Sequence, residues 1–484
     1  AAVRRAALRA CSSVVDPRLA PALCSLLADP SCRNRARTAL AAIGLRIVPL
    51  LVERLRDPKT PRAARLEIPR VLRGIATPES YKALRSFVDD PDGHIRLRVY
   101  AAMSKLRASL GLAREPAAWL EIQLRRELVE GLGIMAGWEA ARDRCATPLF
   151  VDQMRLYEAR LVRRVLRLLE LRHEPGPMRL LRQTVEDPKR RTNALEALDN
   201  AVGTALRSLV MPLFDDAPAR DRLAAVGGRE PLSAEGFLRN RAASPNPFTV
   251  LLLLDALSAH RDPLAPELSQ RALGHADPLV REAAVLELAR ASAEERAARV
   301  SEVEQLLADP DHIVARLARS ELSTLAPREK EATVRSTVEK IVVLKSTPVF
   351  EKIASEDLAP LARVATEELY PDGARIFAEG DHGDSLYVVV RGKVRIIKGA
   401  DTLAELGPGE AFGEMAVLDA APRSGDALCV GETEVLRIGS EEFYEILHEQ
   451  VELAEGIIRM LVRRLRGAAA TSTEEQQRNS LIVS

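Results

Sequence analysis

Residues 370–397 read YPDGARIFAEGDHGDSLYVVVRGKVRII. Upstream the chain is helix after helix of Ala, Leu and Arg; here the apolar period shifts to that of strands. ARIF (374–377), SLYVVV (385–390), KVRIIK (393–398) and TLAEL (402–406) are short and rich in β-formers, and DALCV (426–430) and TEVLRI (433–438) continue the series. Each is bounded by Gly, Asp or Pro. Gly380, Gly383, Gly392, Gly407 and Gly409 fall at the turns, where a positive φ is needed. Turns at this spacing predict a small antiparallel barrel or jelly roll. Helices flank it. SEDLAPLARVATEEL leads in, with Ser355 as its expected cap, and the run from Ser440 leads out with a bend near Glu449. The polar residues 467–484 are expected to form a flexible tail.

Working outward, one phrase recurs in the helical part: apolar residues, Asp-Pro, a polar turn, then an Arg- and Ala-rich amphipathic run. It appears around Asp57-Pro58, Asp90-Pro91, Asp277-Pro278 and Asp309-Pro310, among others, at a period of about 33 residues. Proline ends one helix and can open the next, and the Asp before it can cap that helix. Such units stack by burying each other's apolar faces. DPLVREAA at 277–284 and DGHIRLRV from Asp92 resemble the short bacterial HEAT repeat. The fold class expected is therefore multidomain: an all-α HEAT-like solenoid over 1–335, irregular at 111–250, then a β-roll over 340–466. The many arginines are expected to pair with acids on solvated faces, as in VREAAVLELAR. GLGIMAG (131–137) is expected to break a helix.

Composition narrows the function. Lys plus Arg number 70 against 69 Asp plus Glu, so no global charge favours nucleic acid. The cysteines Cys11, Cys24, Cys32, Cys145 and Cys429 form no CxxC pair and read as buried reduced thiols in a cytoplasmic protein. The scattered histidines form no metal motif. The longest apolar run, FTVLLLLDAL (248–257), is half of what a bilayer span needs and reads as a buried helix. There is no P-loop, kinase glycine loop or GxSxG, so no catalytic residue and no cofactor is assigned.

Residues 412–424, FGEMAVLDAAPRS, carry two acids, Glu414 and Asp419, and one base, Arg423. With the strands before them they resemble the phosphate-binding cassette of the cyclic nucleotide-binding domain family, found in kinase regulatory subunits, gated channels and catabolite-activator-type regulators. The resemblance places ligand contacts on Gly413, Glu414, Met415, Ala416, Arg423 and Ser424. Arg423 would hold the phosphate by a charge-assisted fork. Glu414 would accept the ribose 2'-hydroxyl proton, and Gly413 would let the backbone approach. Ser424 stands where the family has Thr for cGMP or Ala for cAMP, and the reading leans to cAMP. Ile457, Ile458 and Leu461 would lie over the base. Gly425 and Asp426 depart from the family pattern, and a carboxylate there could repel a phosphate.

Three functions remain open. One is a non-catalytic regulator passing a cyclic-nucleotide signal to a protein partner on the helical array. Another is a structural adaptor with a degenerate pocket. The third is the cytoplasmic regulatory region of a membrane protein resembling a bacterial ADP/ATP carrier, its membrane part preceding Ala1.

Overall fold

The computed structural model describes residues 15–173, 189–292, 299–325, 335–419 and 421–449, with isolated positions at 178, 181, 182, 184, 294, 454, 456–458, 461 and 462. The expected tail at 467–484 and Cys11 lie outside the described residues. The chain forms two compact units, Ala1–Leu268 and Ser269–Ser484. The second takes in helices from Ser269 onward together with the antiparallel sheet, whereas the sequence pattern alone draws its line at 335–340.

In the first unit, helices Arg62–Ile75 and Pro78–Arg85 lead to α1 (Gly93–Leu110), α2 (Ala117–Cys145) and α3 (Pro148–Leu169). GLGIMAG does not break a helix. It lies inside α2, because its glycines serve close packing: a Cβ on Gly131 would stand 2.4 Å from Leu161 of α3, and one on Gly137 3.0 Å from Phe237. FTVLLLLDAL lies in the helix Pro247–Ala259 and is buried throughout. Among the described residues, no helix is long and apolar enough to cross a membrane.

The second unit begins its described repeats with α4 (Pro278–Arg290) and α5 (His312–Leu325), followed by α6 (Thr337–Ser346) and α7 (Ser355–Val364). Asp277 caps α4 as expected, accepting from Leu279 N at 3.0 Å with Pro278 opening the helix. At 90–91 and 309–310 the cap moves two residues on. Asp92 accepts from His94 N to open α1, and Asp311 accepts from Ile313 N and Val314 N to open α5. The displaced aspartates are held by an arginine of the preceding repeat instead. Arg65 reaches Asp90 at 2.8 Å, and Arg281 grips Asp309 at 2.6 and 2.7 Å. The side chains of Arg281 and Asp309 are only 12% and 4% exposed. Arg65 and Arg281 thus join one helical segment to the next through part-buried pairs, not the solvated surface pairs expected for VREAAVLELAR. In that same run Glu282 is fully buried, and its carboxylate faces α6 and α7.

The sheet holds β1 (Thr366–Tyr370), β2 (Arg375–Phe377), β3 (Ser385–Lys398), β4 (Asp401–Leu406), β5 (Ala411–Phe412) and β6 (Asp426–Gly439), all antiparallel, in the order β1-β6-β3-β4. β2 also pairs with β6, and β5 with β3. Four of the expected strands fuse into two. β3 runs through Arg391 and Gly392 with shifts of register, and Gly392 tolerates this because its φ is +81° and a Cβ would sit 2.6 Å from Glu432 O. The leading helix stops at Val364 rather than running through 369, because Thr366–Tyr370 pair with Thr433–Arg437 of β6. Tertiary pairing overrides the helical propensity of Glu and Leu there. Ser355 is not the cap of α7; Ala354 holds that position without a side-chain bond, and Ser355 Oγ is buried. A short helix α8 (Glu414–Asp419) precedes β6, and α9 (Ser440–Glu449) follows it.

The deepest charges of the first unit meet at Glu127 of α2. Its carboxylate accepts from Arg96 Nε at 2.6 Å, Arg164 Nε at 2.7 Å and Tyr100 OH at 2.8 Å. None of these four residues is more than 2% exposed. Burial alone would raise the carboxyl pKa, but the guanidiniums of Arg164 and Arg96 outweigh it and hold Glu127 down at about 2. A carboxylate held below its unfolded range of about 4.3 adds stability at neutral pH, and that stability is lost as pH falls from there toward 2. Removing it strands two buried cations. Urea unfolding of Glu127→Ala at pH 7 should show a loss of about 3–5 kcal/mol. Glu127→Gln should flatten the fall in stability below about pH 4 that the native chain shows.

Candidate binding site in the β-roll

Arg423 sits between α8 and β6, on a segment clasped by the loop after β2. Its N–H donates to Asp381 O at 2.8 Å, and its carbonyl accepts from Gly380 N at 2.9 Å. His382 and Pro422 form a β-bridge beside them. The side chain is 5% exposed. Nη1 donates to Gly413 O at 2.8 Å and Nη2 to Ser385 O at 2.7 Å. Its Cζ stands 4.2 Å over the Phe377 ring. Phe377, Tyr387 and Phe412 form one aromatic cluster, Tyr387 and Phe412 stacked at 5.2 Å.

Two features distinguish this guanidinium from a surface ion pair. Among the described residues no carboxylate lies within salt-bridge reach of it. Nε is buried and meets no acceptor among the described residues. Burial presses the Arg423 pKa down, with Tyr387 and Asp384 acting against that. An arginine stays charged even so, so the fold keeps a desolvated cation there whose hydrogen-bond acceptors are main-chain carbonyls, with Asp384 and Asp381 acting only at a distance. The structure turns both Nη groups to carbonyls, one of them the carbonyl of Gly413, next to Glu414.

The remaining expected residues divide by exposure. Glu414 is 2% exposed and opens α8; Ala416 is buried beside it. Met415 is 51% exposed and Ser424 is exposed. Gly413 has φ +78°, and a Cβ there would stand 2.6 Å from Arg423 Nη1. Gly383, which the sequence marked only as a turn, is required by contact: a Cβ would meet Ala416 Cβ at 2.3 Å and Arg423 at 3.2 Å. Ile457 is buried, Ile458 is 61% exposed and Leu461 is half-buried. Gly456 beside them lies flat on the Val349 carbonyl, where a Cβ would stand 2.3 Å away. The contact this segment shows is with the turn between α6 and α7.

The two departures from the family pattern have structural reasons. Gly425 faces the backbone of β3, where a Cβ would meet Ile397 O at 2.6 Å. Asp426 accepts from Glu379 N at 2.8 Å, tying the start of β6 to the loop that clasps Arg423. Asp381 holds the same loop by accepting from Ala378 N at 2.8 Å. Sequence reasoning missed Phe377 and the Ser385 carbonyl, since neither a ring face nor a main-chain oxygen leaves a motif. Among the described residues no cluster of His, Cys, Asp or Glu could hold a metal.

The Cyclic nucleotide-binding domain family matches residues 367–450. This stretch is a cyclic nucleotide-binding domain of the catabolite-activator and kinase-regulatory type. The cyclic AMP receptor protein of Thermus thermophilus is 39% identical over 130 residues, 26% of this chain and 60% of that protein. A cyclic nucleotide-gated potassium channel of Mesorhizobium japonicum is 32% identical over 130 residues, 27% of this chain and 36% of the channel. A cAMP-dependent protein kinase regulatory subunit of Eremothecium gossypii is 31% identical over 111 residues, 23% of this chain and 24% of the subunit. The crystal structure of the Thermus thermophilus catabolite activator protein covers 26% of this chain and 62% of its own at 37% identity, with a TM-score of 0.25. This chain thus spans less than two thirds of each of these relatives.

If Asp426 serves as a clasp, Asp426→Ala should lower the stability of the β-roll by about 1 kcal/mol, the net value of one hydrogen bond. The denaturant midpoint of the second unit reads it.

Proposed function

We propose that this protein is a non-catalytic regulator whose β-roll binds a cyclic nucleotide, with cAMP preferred over cGMP, and passes that state to its helical repeats. The observation that carries this reading is Arg423: a buried guanidinium oriented by two carbonyls and a ring face, with no carboxylate bonded to it among the described residues. A phosphodiester monoanion supplies the missing charge, and a planar fork suits its paired oxygens. Glu414, buried next to the carbonyl that Arg423 grips, is suited to accept a ribose hydroxyl. Gly413 and Gly383 leave room for the guanidinium where a Cβ would crowd it. The cAMP preference draws on Ser424 and on relatives named for cyclic AMP. The burial of Cys24, Cys145 and Cys429 fits the cytoplasmic setting proposed here.

A degenerate pocket would follow from Glu414 and Arg423 neutralising each other or from Asp426 opposing the phosphate; the Arg423 bonds to carbonyls and the Asp426–Glu379 bond weigh against it. The preferred partner of the helical repeats is a protein, since acids and bases are balanced along the chain.

Calorimetry with cAMP and cGMP on the full chain tests the proposal. Saturable heat with cAMP is expected, and Arg423→Ala should weaken binding by about 100-fold or more. No heat with either nucleotide would sink the reading. Asp426→Ala should leave affinity unchanged or weaker; a gain would mean that its carboxylate repels the ligand after all.

A further inference from the structure

The junction between the last described repeat and the β-roll is built around one acid. Glu282 of α4 is fully buried. One carboxylate oxygen accepts from Thr337 N at 2.5 Å; the other accepts from Thr337 Oγ1 at 2.8 Å and Arg363 Nη1 at 3.0 Å. All three donors come from α6 and α7, none from the repeat that carries the acid. Arg363 also bonds Asp311, the cap of α5. A single guanidinium at the end of α7 therefore holds both helices of the repeat. Burial pushes the Glu282 carboxyl upward, against the pull of the Thr337 N–H and Arg363. Such a group is stable only while the two parts stay docked.

The same junction reaches the strand that starts at the cassette. Arg335, two residues before Thr337, forms a paired contact with Glu434 of β6 at 2.8 and 2.9 Å. Its N–H donates to Glu367 of β1 at 3.0 Å. Lys340 of α6 and Arg316 of α5 lie 3.3 and 3.5 Å from Glu367. β6 begins at Asp426, in the clasp of Arg423. A cleft of about 270 Å³ here is lined by His312, Arg316, Arg335, Lys340 and Arg363. It does not read as an anion site. Glu367, Glu434, Glu282 and Asp311 match its Arg and Lys groups.

We infer that the helix pair α4–α5 is the element that receives the signal, latched to the sensor through Glu282 and Arg363 and connected to the cassette along β6. This rests on the proposed nucleotide binding for its signal, though not for its docking. A ligand on Arg423 alters the segment from which β6 starts. β6 carries Glu434, Glu434 holds Arg335, and Arg335 adjoins the first turn of α6 that feeds Glu282. A ligand shifts this latch only by binding its two states unequally.

Hydrogen exchange on the full chain tests both parts. Without ligand, Glu282→Gln and Arg363→Gln should each speed exchange in residues 278–290 and 312–322 at least tenfold. Unchanged exchange in both variants would overturn the docking. Calorimetry should show that both variants still bind cAMP, which also confirms that they fold. In the native chain, saturating cAMP should change exchange in 278–322 at least threefold, and in Arg363→Gln it should not. Native chain that binds cAMP by calorimetry with no change there would overturn the coupling. Native chain that gives no heat would end the proposed function and the coupling together, and the ligand-free arm would still decide the docking.

Discussion

The β-roll is organised around a positive charge that it keeps dry. Placing a guanidinium at 5% exposure is costly unless its donors are met. The fold meets two of them with main-chain carbonyls, from Gly413 and Ser385, and lays the plane over Phe377. Both carbonyls and the ring come from different strands or their ends, so the position of Arg423 holds only if β2, β3 and β5 are in register. The loop after β2 is fixed in return by the backbone of Arg423 itself, through Gly380 and Asp381.

That dependence explains which glycines the site needs. Gly413 and Gly383 are both places where a single carbon would collide with the guanidinium or with Ala416. Gly425 lets the chain leave the cassette flat against β3, so that Asp426 can turn back to the loop. What looks in the sequence like a charge placed to spoil a phosphate site is a bond that helps hold its arginine.

The two units manage buried charge by one device. Glu127 is held between arginines of neighbouring helices, and Glu282 between a threonine and an arginine of the next module. In both, the hydrogen bonds described to a carboxylate on one helix come from donors elsewhere in the chain. Such pairs are modest contributors to stability compared with an apolar core, but they oppose any separation or slip that would leave the charge alone. The Arg281–Asp309 staple repeats the idea on a smaller scale.

The sequence by itself determined the change from helical to strand period near residue 370, the positive-φ turns at Gly380 and Gly409, the cap of α4 at Asp277 and the residues of the cassette, Gly413, Glu414 and Arg423. These are local: periodicity, φ preference and spacing are written in adjacent residues. Gly383 and Gly407, by contrast, do not take the positive φ expected of them, and Gly392 lies inside β3. Tertiary structure decided the rest. Residues 366–370 became β1 because β6 offered a partner, although their local propensity is helical. GLGIMAG stayed helical because α3 and Phe237 press against it. Whether Arg423 met an acid or a carbonyl, whether Asp426 faced the site or the loop, and whether Glu282 faced water or Thr337 depended on chain segments distant in sequence. A motif fixes which groups are present, and only packing fixes what each one faces.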